Sequence, residues 1–256
     1  MVLDYQNTSY QVRDAKPDIA VLPIGATERC GEHLPVGTMT IILDALARRV
    51  AEQMSSTAYL LPTMPLGTSD IHQGAAGTIS LEWSTLMRVV YDLVESLFVQ
   101  GIRRVVVIVG LGGANESTAL PKENYVVKVA VRQLNYDYPE LDAIWVQPFT
   151  VAGRELAQIL DAPGQDVHAG ELVTSLMLHL APDAVKGRGA DHLPGVSKEY
   201  LDYVAFERLC PGGVWGRPSL ASADKGERAL HLAVERTVAY VEESFAHLAA
   251  MKRRPR

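Results

Sequence analysis

The chain has 256 residues, 48% hydrophobic and 21% charged, which excludes disordered, collagen-like and disulfide-framework classes and leaves room for one large core. A formal net charge of -6 argues against nucleic-acid binding, which needs a concentrated basic face; the one dense basic run, Lys252, Arg253, Arg254 and Arg256, reads as a frayed tail. Two cysteines, no apolar leader in MVLDYQNTSYQVRD and no run of membrane-spanning length predict a cytoplasmic protein with reduced thiols and no membrane partner.

Residues 18–24 are a short apolar run ending at Gly25, as suits a buried parallel strand. The turn that follows crowds Glu28, Arg29, Cys30, Glu32 and His33 into six positions. At the carboxyl end of a strand in an open α/β sheet, such a turn lies where ligands bind. Leu43, Leu46, Ala47, Val50 and Met54 then recur at helical spacing, and residues 58–64 give a second strand.

Next comes the loop GTSDIHQGAAGTIS, in which Gly67, Gly74 and Gly77 surround His72. Leu86, Val89, Val90, Leu93 and Leu97 form the stripe of another helix, which Gly101 ends in the manner of a C-terminal cap. Residues 105–109 are apolar throughout and predict a central strand covered on both faces. A second glycine turn, residues 110–115, precedes a helix through Val126, Val127, Ala130 and Leu134, and residues 143–146 read as a further strand.

The segment GQDVHAGELVTSLMLHL opens from a loop into a helix and brings Asp166, His168 and Glu171 close together. Residues 186–218, rich in Gly and Pro, predict an ordered excursion over the site or a subunit contact. A long helix over residues 223–249 closes the chain. Strand and helix alternate throughout, so the expected architecture is one α/β domain over residues 1–256, three layers deep, with a mainly parallel sheet. Trp83 and Trp145 read as core or interface packing.

Taken together, LPIGATERCGEHLP, GTISL, the glycine turn after the central strand, HAGELVTSLML and GVWGRPSLASADKG resemble the creatininase family of amidohydrolases. The resemblance covers nearly the whole chain. It implies the creatininase fold, a small-molecule substrate and a homo-oligomer, with hexamers usual in the family. It also implies a binuclear metal centre, and there the sequence departs. The family's E-x-H-G-x-H-L-P motif keeps Glu28 and His33 but has Cys30 for the ligand histidine, and the ligand aspartate is replaced by Met39. Gly112 and Ala114 stand where a histidine and a glutamate ligand belong, leaving Asn115. His168 is kept, whereas Val173 replaces a glutamate that ligates in some members. Asp44 lies more than one helical turn beyond Met39 and cannot simply take over its role.

Three readings follow. The leading one is a metal-independent enzyme acting on a small amide, lactam or acyl substrate, by hydrolysis or by cyclisation or acyl transfer. Its catalytic candidates are Glu28, Cys30, His33 and His168, with His168 as general acid/base and Cys30 as a thiolate nucleophile favoured by Arg29. Its substrate-binding candidates are His72, Asn115, Asp166, Glu171 and Trp215. Cys30 reads equally well as a small residue filling a vacated ligand position. The second reading is a non-catalytic pseudoenzyme or scaffold subunit that keeps the fold. The third is an amidohydrolase with one zinc, held by Glu28, Cys30 and one of His33, His72 or His168.

Overall fold

In the computed structural model, which describes residues 1–110 and 122–252, five strands lie side by side and each is parallel to its neighbours. They are β1 (Val2–Leu3), β2 (Ile19–Ile24), β3 (Ala58–Leu60), β4 (Arg104–Val109) and β5 (Asp142–Val146), in the spatial order β1-β3-β2-β4-β5. The helices are α1 (Ser9–Ala15), α2 (Thr38–Gln53), α3 (Trp83–Val99), α4 (Lys122–Asp137), the short α5 (Pro148–Val151) and α6 (Gly153–Leu156), α7 (Glu171–Leu180), α8 (Phe206–Leu209) and α9 (Ala223–Lys252).

Alternation along the strands divides the core into two layers. Ile19 and Val21 of β2, with Val106 and Ile108 of β4, pack against Leu43, Leu46 and Val50 of α2, Leu176 of α7 and Ala233 of α9. Ala20, Leu22 and Ile24 of β2, with Val105, Val107 and Val109 of β4, face Leu86, Val90 and Val94 of α3 and Val127 and Leu134 of α4. The continuous apolar runs of β2 and β4 therefore have the cause expected of them: helices cover both faces, so neither parity of residue meets water.

The sheet order reverses between β2 and β4. From β2 the chain passes through α2 to β3 on one side; from β4 it passes through α4 to β5 on the other, across the opposite face of the sheet. Such a switch point opens a crevice at the carboxyl ends of its two strands. The Glu28 turn leaves β2 there. Gly25 starts that turn pressed against α2, where an added Cβ would come within 2.7 Å of the Thr40 Cα, so a side chain would push the helix off the strand end.

The sheet has one strand more than the sequence predicts, and one strand is shorter than predicted. β1 and α1 carry no apolar periodicity that would mark them. The strand expected over 58–64 stops at Leu60: Pro62 has no N–H to give the ladder, although Met64 N returns to donate to Pro23 O at 3.0 Å. The closing helix runs to Lys252, whose Nζ donates to Pro139 O and Leu141 O, both at 2.8 Å, and pairs with Asp142 at 2.7 Å. Lys252 is therefore docked where a frayed tail was expected; Arg253, Arg254 and Arg256 lie outside the described residues. Among the described residues, no helix is long and apolar enough to cross a membrane.

Candidate active site

Four segments are stapled together over the switch point. Ile79 N donates to Thr27 O at 2.9 Å and Arg29 N to the Thr78 hydroxyl at 3.0 Å, tying the turn after β2 to the glycine loop. Gly31 N donates to Gly213 O at 2.8 Å, tying the same turn to the segment before α9. His168 and Trp215 form an antiparallel bridge with N–H to O distances of 3.0 and 2.9 Å, which ties that segment to the loop before α7.

These staples bring Glu28, His72 and His168 together, with one donor atom from each lying within 4.8 Å of the other two. The two imidazole rings sit 4.4 Å apart, centroid to centroid, tilted by 31°. Phe206 from α8 presses on both, at 4.6 and 4.9 Å, and closes one side with apolar carbon. Residues 186–218 thus supply a wall of the site. Glu28 accepts a 2.6 Å hydrogen bond from the Ser69 hydroxyl. His168 Nε2 lies 2.8 Å from the Arg29 carbonyl oxygen, which can only accept, so Nε2 carries the proton and Nδ1 is left bare. His72 is 2% exposed; its burial, with His168 and the Arg29 guanidinium close by, pushes its pKa down to about 2 and keeps the ring neutral.

The other sequence candidates take different places. Cys30 is fully buried, and burial together with the nearby Glu28 carboxylate pushes its thiol well up, the opposite of what nucleophilic attack needs. The Arg29 guanidinium that was expected to favour thiolate is instead paired with Glu207 at 2.5 Å. His33 bonds the Thr174 hydroxyl at 2.8 Å and is wedged beneath Gly189, where any Cβ would meet the ring at 2.5 Å. Its burial lowers its pKa.

Asp166 accepts from Leu172 N at 2.6 Å and so caps the start of α7; burial raises its pKa to about 7. Glu171 is fully buried and accepts from Asp161 N, Ala162 N and Lys225 Nζ, a structural ion pair. Trp215 is 6% exposed and acts on the site through its backbone bridge to His168. Asn115, Gly112 and Ala114 lie outside the described residues.

The described residues do not supply the donors for a pair of metal ions. Met39, like Cys30, is sealed in the core, and so is Val173. The exposed Asp44 turns instead to the Thr63 hydroxyl at 2.8 Å. No second carboxylate joins Glu28 in the described cluster.

Beside the cluster, Thr68 and Asp70, the neighbours of Ser69, line a cavity of about 560 Å³ with Gln73, Trp83 and Tyr125. Trp83 is 58% exposed, so core packing is not its role; its ring borders this cavity. Ser69 and Phe206 escape sequence reasoning. A serine in a Gly-rich loop has no distinguishing signal, and Phe206 sits where no periodicity predicts which way a side chain turns.

Comparison with known proteins agrees with this architecture. The Creatininase family, described as creatinine amidohydrolase, matches residues 5–241. The mycofactocin precursor peptide peptidase of Mycolicibacterium smegmatis is 32% identical over 234 residues, spanning 87% of this chain and 83% of its own. The creatinine amidohydrolase of Pseudomonas putida is 28% identical over 257 residues, spanning 92% and 94%. A crystal structure of creatinine amidohydrolase superposes with a TM-score of 0.77 at 25% identity, covering 94% of this chain and 97% of that one.

Proposed function

This chain belongs to the creatininase family, and from that premise we propose that it hydrolyses an amide-type C–N bond of a small substrate without the family's pair of metal ions. The observation that carries the reading is the convergence of Glu28, His72 and His168 at the carboxyl edge of the sheet. The two relatives above are named for amide hydrolysis, one as an amidohydrolase and one as a peptidase. That shared chemistry, and no particular substrate, is what is carried over.

Hydrolysis of an amide needs a proton taken from water and a proton given to the departing nitrogen. Glu28 is the carboxylate of the cluster, oriented by Ser69, and can do both in turn. The bare Nδ1 of His168 is placed to accept a hydrogen bond from substrate or water beside it, its ring held by the Arg29 carbonyl. His72, kept neutral, adds a polar contact without charge. Phe206 shields the cluster from bulk water on one side, which strengthens each of these interactions. The cavity beside Ser69 would take the substrate, with Trp83 and Tyr125 offering aromatic surface and Asp70 and Gln73 polar contacts.

Cys30 supports this scheme by packing. A fully buried thiol with a raised pKa is a poor nucleophile, so covalent acyl transfer through it is the less favoured course. A panel of cyclic ureas, lactams, N-formyl amines and short peptides, assayed by release of free amine, tests the reading. Turnover by the wild-type chain and its loss in Glu28→Gln are expected. Binding of a panel member with no turnover at any pH would favour a non-catalytic binding subunit.

A further inference from the structure

We infer that Glu28, His72 and His168 form a binding site for one divalent cation of borderline softness, with zinc the best match. One carboxylate and two imidazoles are a donor set that suits zinc, and three protein ligands leave a fourth position for water or substrate. The site is not the two-ion centre that the family resemblance implies: of its donors only Glu28 belongs to that ligand set, and both imidazoles come from elsewhere in the chain.

The geometry meets the requirement closely. Three donors no more than 4.8 Å apart enclose a central point about 2.8 Å from each, against a zinc ligand distance of roughly 2.0–2.2 Å, so shifts below an ångström complete the site.

The surroundings are arranged as ligand supports usually are. His168 donates its Nε2–H to the Arg29 carbonyl at 2.8 Å, which fixes the tautomer whose Nδ1 lone pair is available. Glu28 receives the Ser69 hydroxyl on Oε2, and no described residue donates to Oε1. His72 is almost wholly buried and its Nδ1 has no hydrogen-bond partner among the described residues, a cost that a polar or metallic ligand in the site would remove. The two imidazole rings, 4.4 Å apart and tilted by 31°, also place two potential nitrogen ligands side by side, an arrangement that a shared cation stabilises. The Arg29 guanidinium, a fixed positive charge close to His72, is offset by Glu207 at 2.5 Å and Glu32 at 3.7 Å.

The test is calorimetric titration of the chelator-stripped full chain with zinc chloride, followed by cobalt substitution and its absorption spectrum. One zinc per chain is expected. His72→Ala, His168→Ala and Glu28→Gln should each weaken binding by at least about 10-fold, and Cys30→Ala should leave it unchanged. The cobalt form should show tetrahedral ligand-field bands without a thiolate charge-transfer band. Circular dichroism of each variant separates a lost ligand from a lost fold, and where an alanine variant unfolds, His72→Asn and His168→Asn replace it. Two ions per chain, a thiolate band, or unchanged affinity in the folded histidine variants would overturn the inference. Binding does not depend on the reaction proposed above: one bound zinc with no amide turnover would leave this inference standing and remove that one.

Discussion

The imidazole of His168 and the backbone carbonyl of Arg29 are joined by a 2.8 Å hydrogen bond that reaches from the loop before α7 to the turn after β2. Because the carbonyl is an obligate acceptor, the bond decides which ring nitrogen faces the candidate site. Replacing His168 by alanine therefore removes both a polar group from the site and the tie that aligns two loops. Loss of at least about 100-fold in kcat/KM is expected, the scale of a lost acid-base group. His168→Asn, which keeps a donor for Arg29 O, should retain more of the thermal stability than alanine while remaining inactive.

Ser69 acts on Glu28 and not on substrate. Ser69→Ala should cost about 1 kcal/mol of alignment, seen as a roughly 5-fold to 10-fold fall in kcat with KM little changed. Ser69→Thr, keeping the hydroxyl, should recover most of it. A change confined to KM would move Ser69 into substrate binding.

Both cysteines are fully buried, and burial pushes Cys210 up to about 12 and Cys30 up as well. Neither should react with iodoacetamide in the folded chain near pH 8, while both should react after unfolding. Cys30→Ser should keep turnover within a few-fold of wild type. A 100-fold loss in a folded Cys30→Ser variant would restore the thiol to the chemistry.

The Lys225–Glu171 pair fastens the start of α9 to the start of α7. Lys225 Nζ lies 2.5 Å from Glu171 and 2.8 Å from Asp161, and the Glu171 side chain is wholly buried. Lys225→Met leaves a buried carboxylate with only backbone donors and should destabilise the chain by about 3 kcal/mol in urea unfolding. Glu171→Gln should cost less, since an amide oxygen still accepts from Asp161 N and Ala162 N.

His33 looks catalytic in the motif, yet its ring is locked between Thr174 and Gly189. Thr174→Val strands a buried ring nitrogen and Gly189→Ala drives a methyl into the ring; each should cost roughly 1–3 kcal/mol of stability. Turnover per folded molecule should be preserved in both, measured by active-site titration against the folded fraction. A fall in kcat with unchanged stability would return His33 to the reaction.

How far the sequence could be read follows from where the information lies. β2 and β4 are apolar at every position because both faces are covered, so a single run of residues reports the layer architecture. β1, two residues long, has no period to detect, and its place at the sheet edge comes from pairing with β3 alone. Glu28 and His168 were legible because each lies in a short motif next to a strand or helix end. The meeting of His72 with His168 was not, since it depends on two long loops held by backbone bonds to residues such as Thr27 and Trp215, and backbone donors are the same in every sequence. The partners of Asp166 and Glu171 were not legible for a related reason: a carboxylate that caps a helix or anchors a lysine is indistinguishable, as a letter, from one that meets substrate.

The central claim is that the reactive centre is the Glu28, His72 and His168 cluster and not a two-ion site. An anomalous-difference map from crystals of the zinc-loaded chain tests it most directly. One peak bounded by those three side chains is the expected result. A pair of peaks bridged by a carboxylate beside Cys30 and Met39, with His72 and His168 unligated, would contradict it.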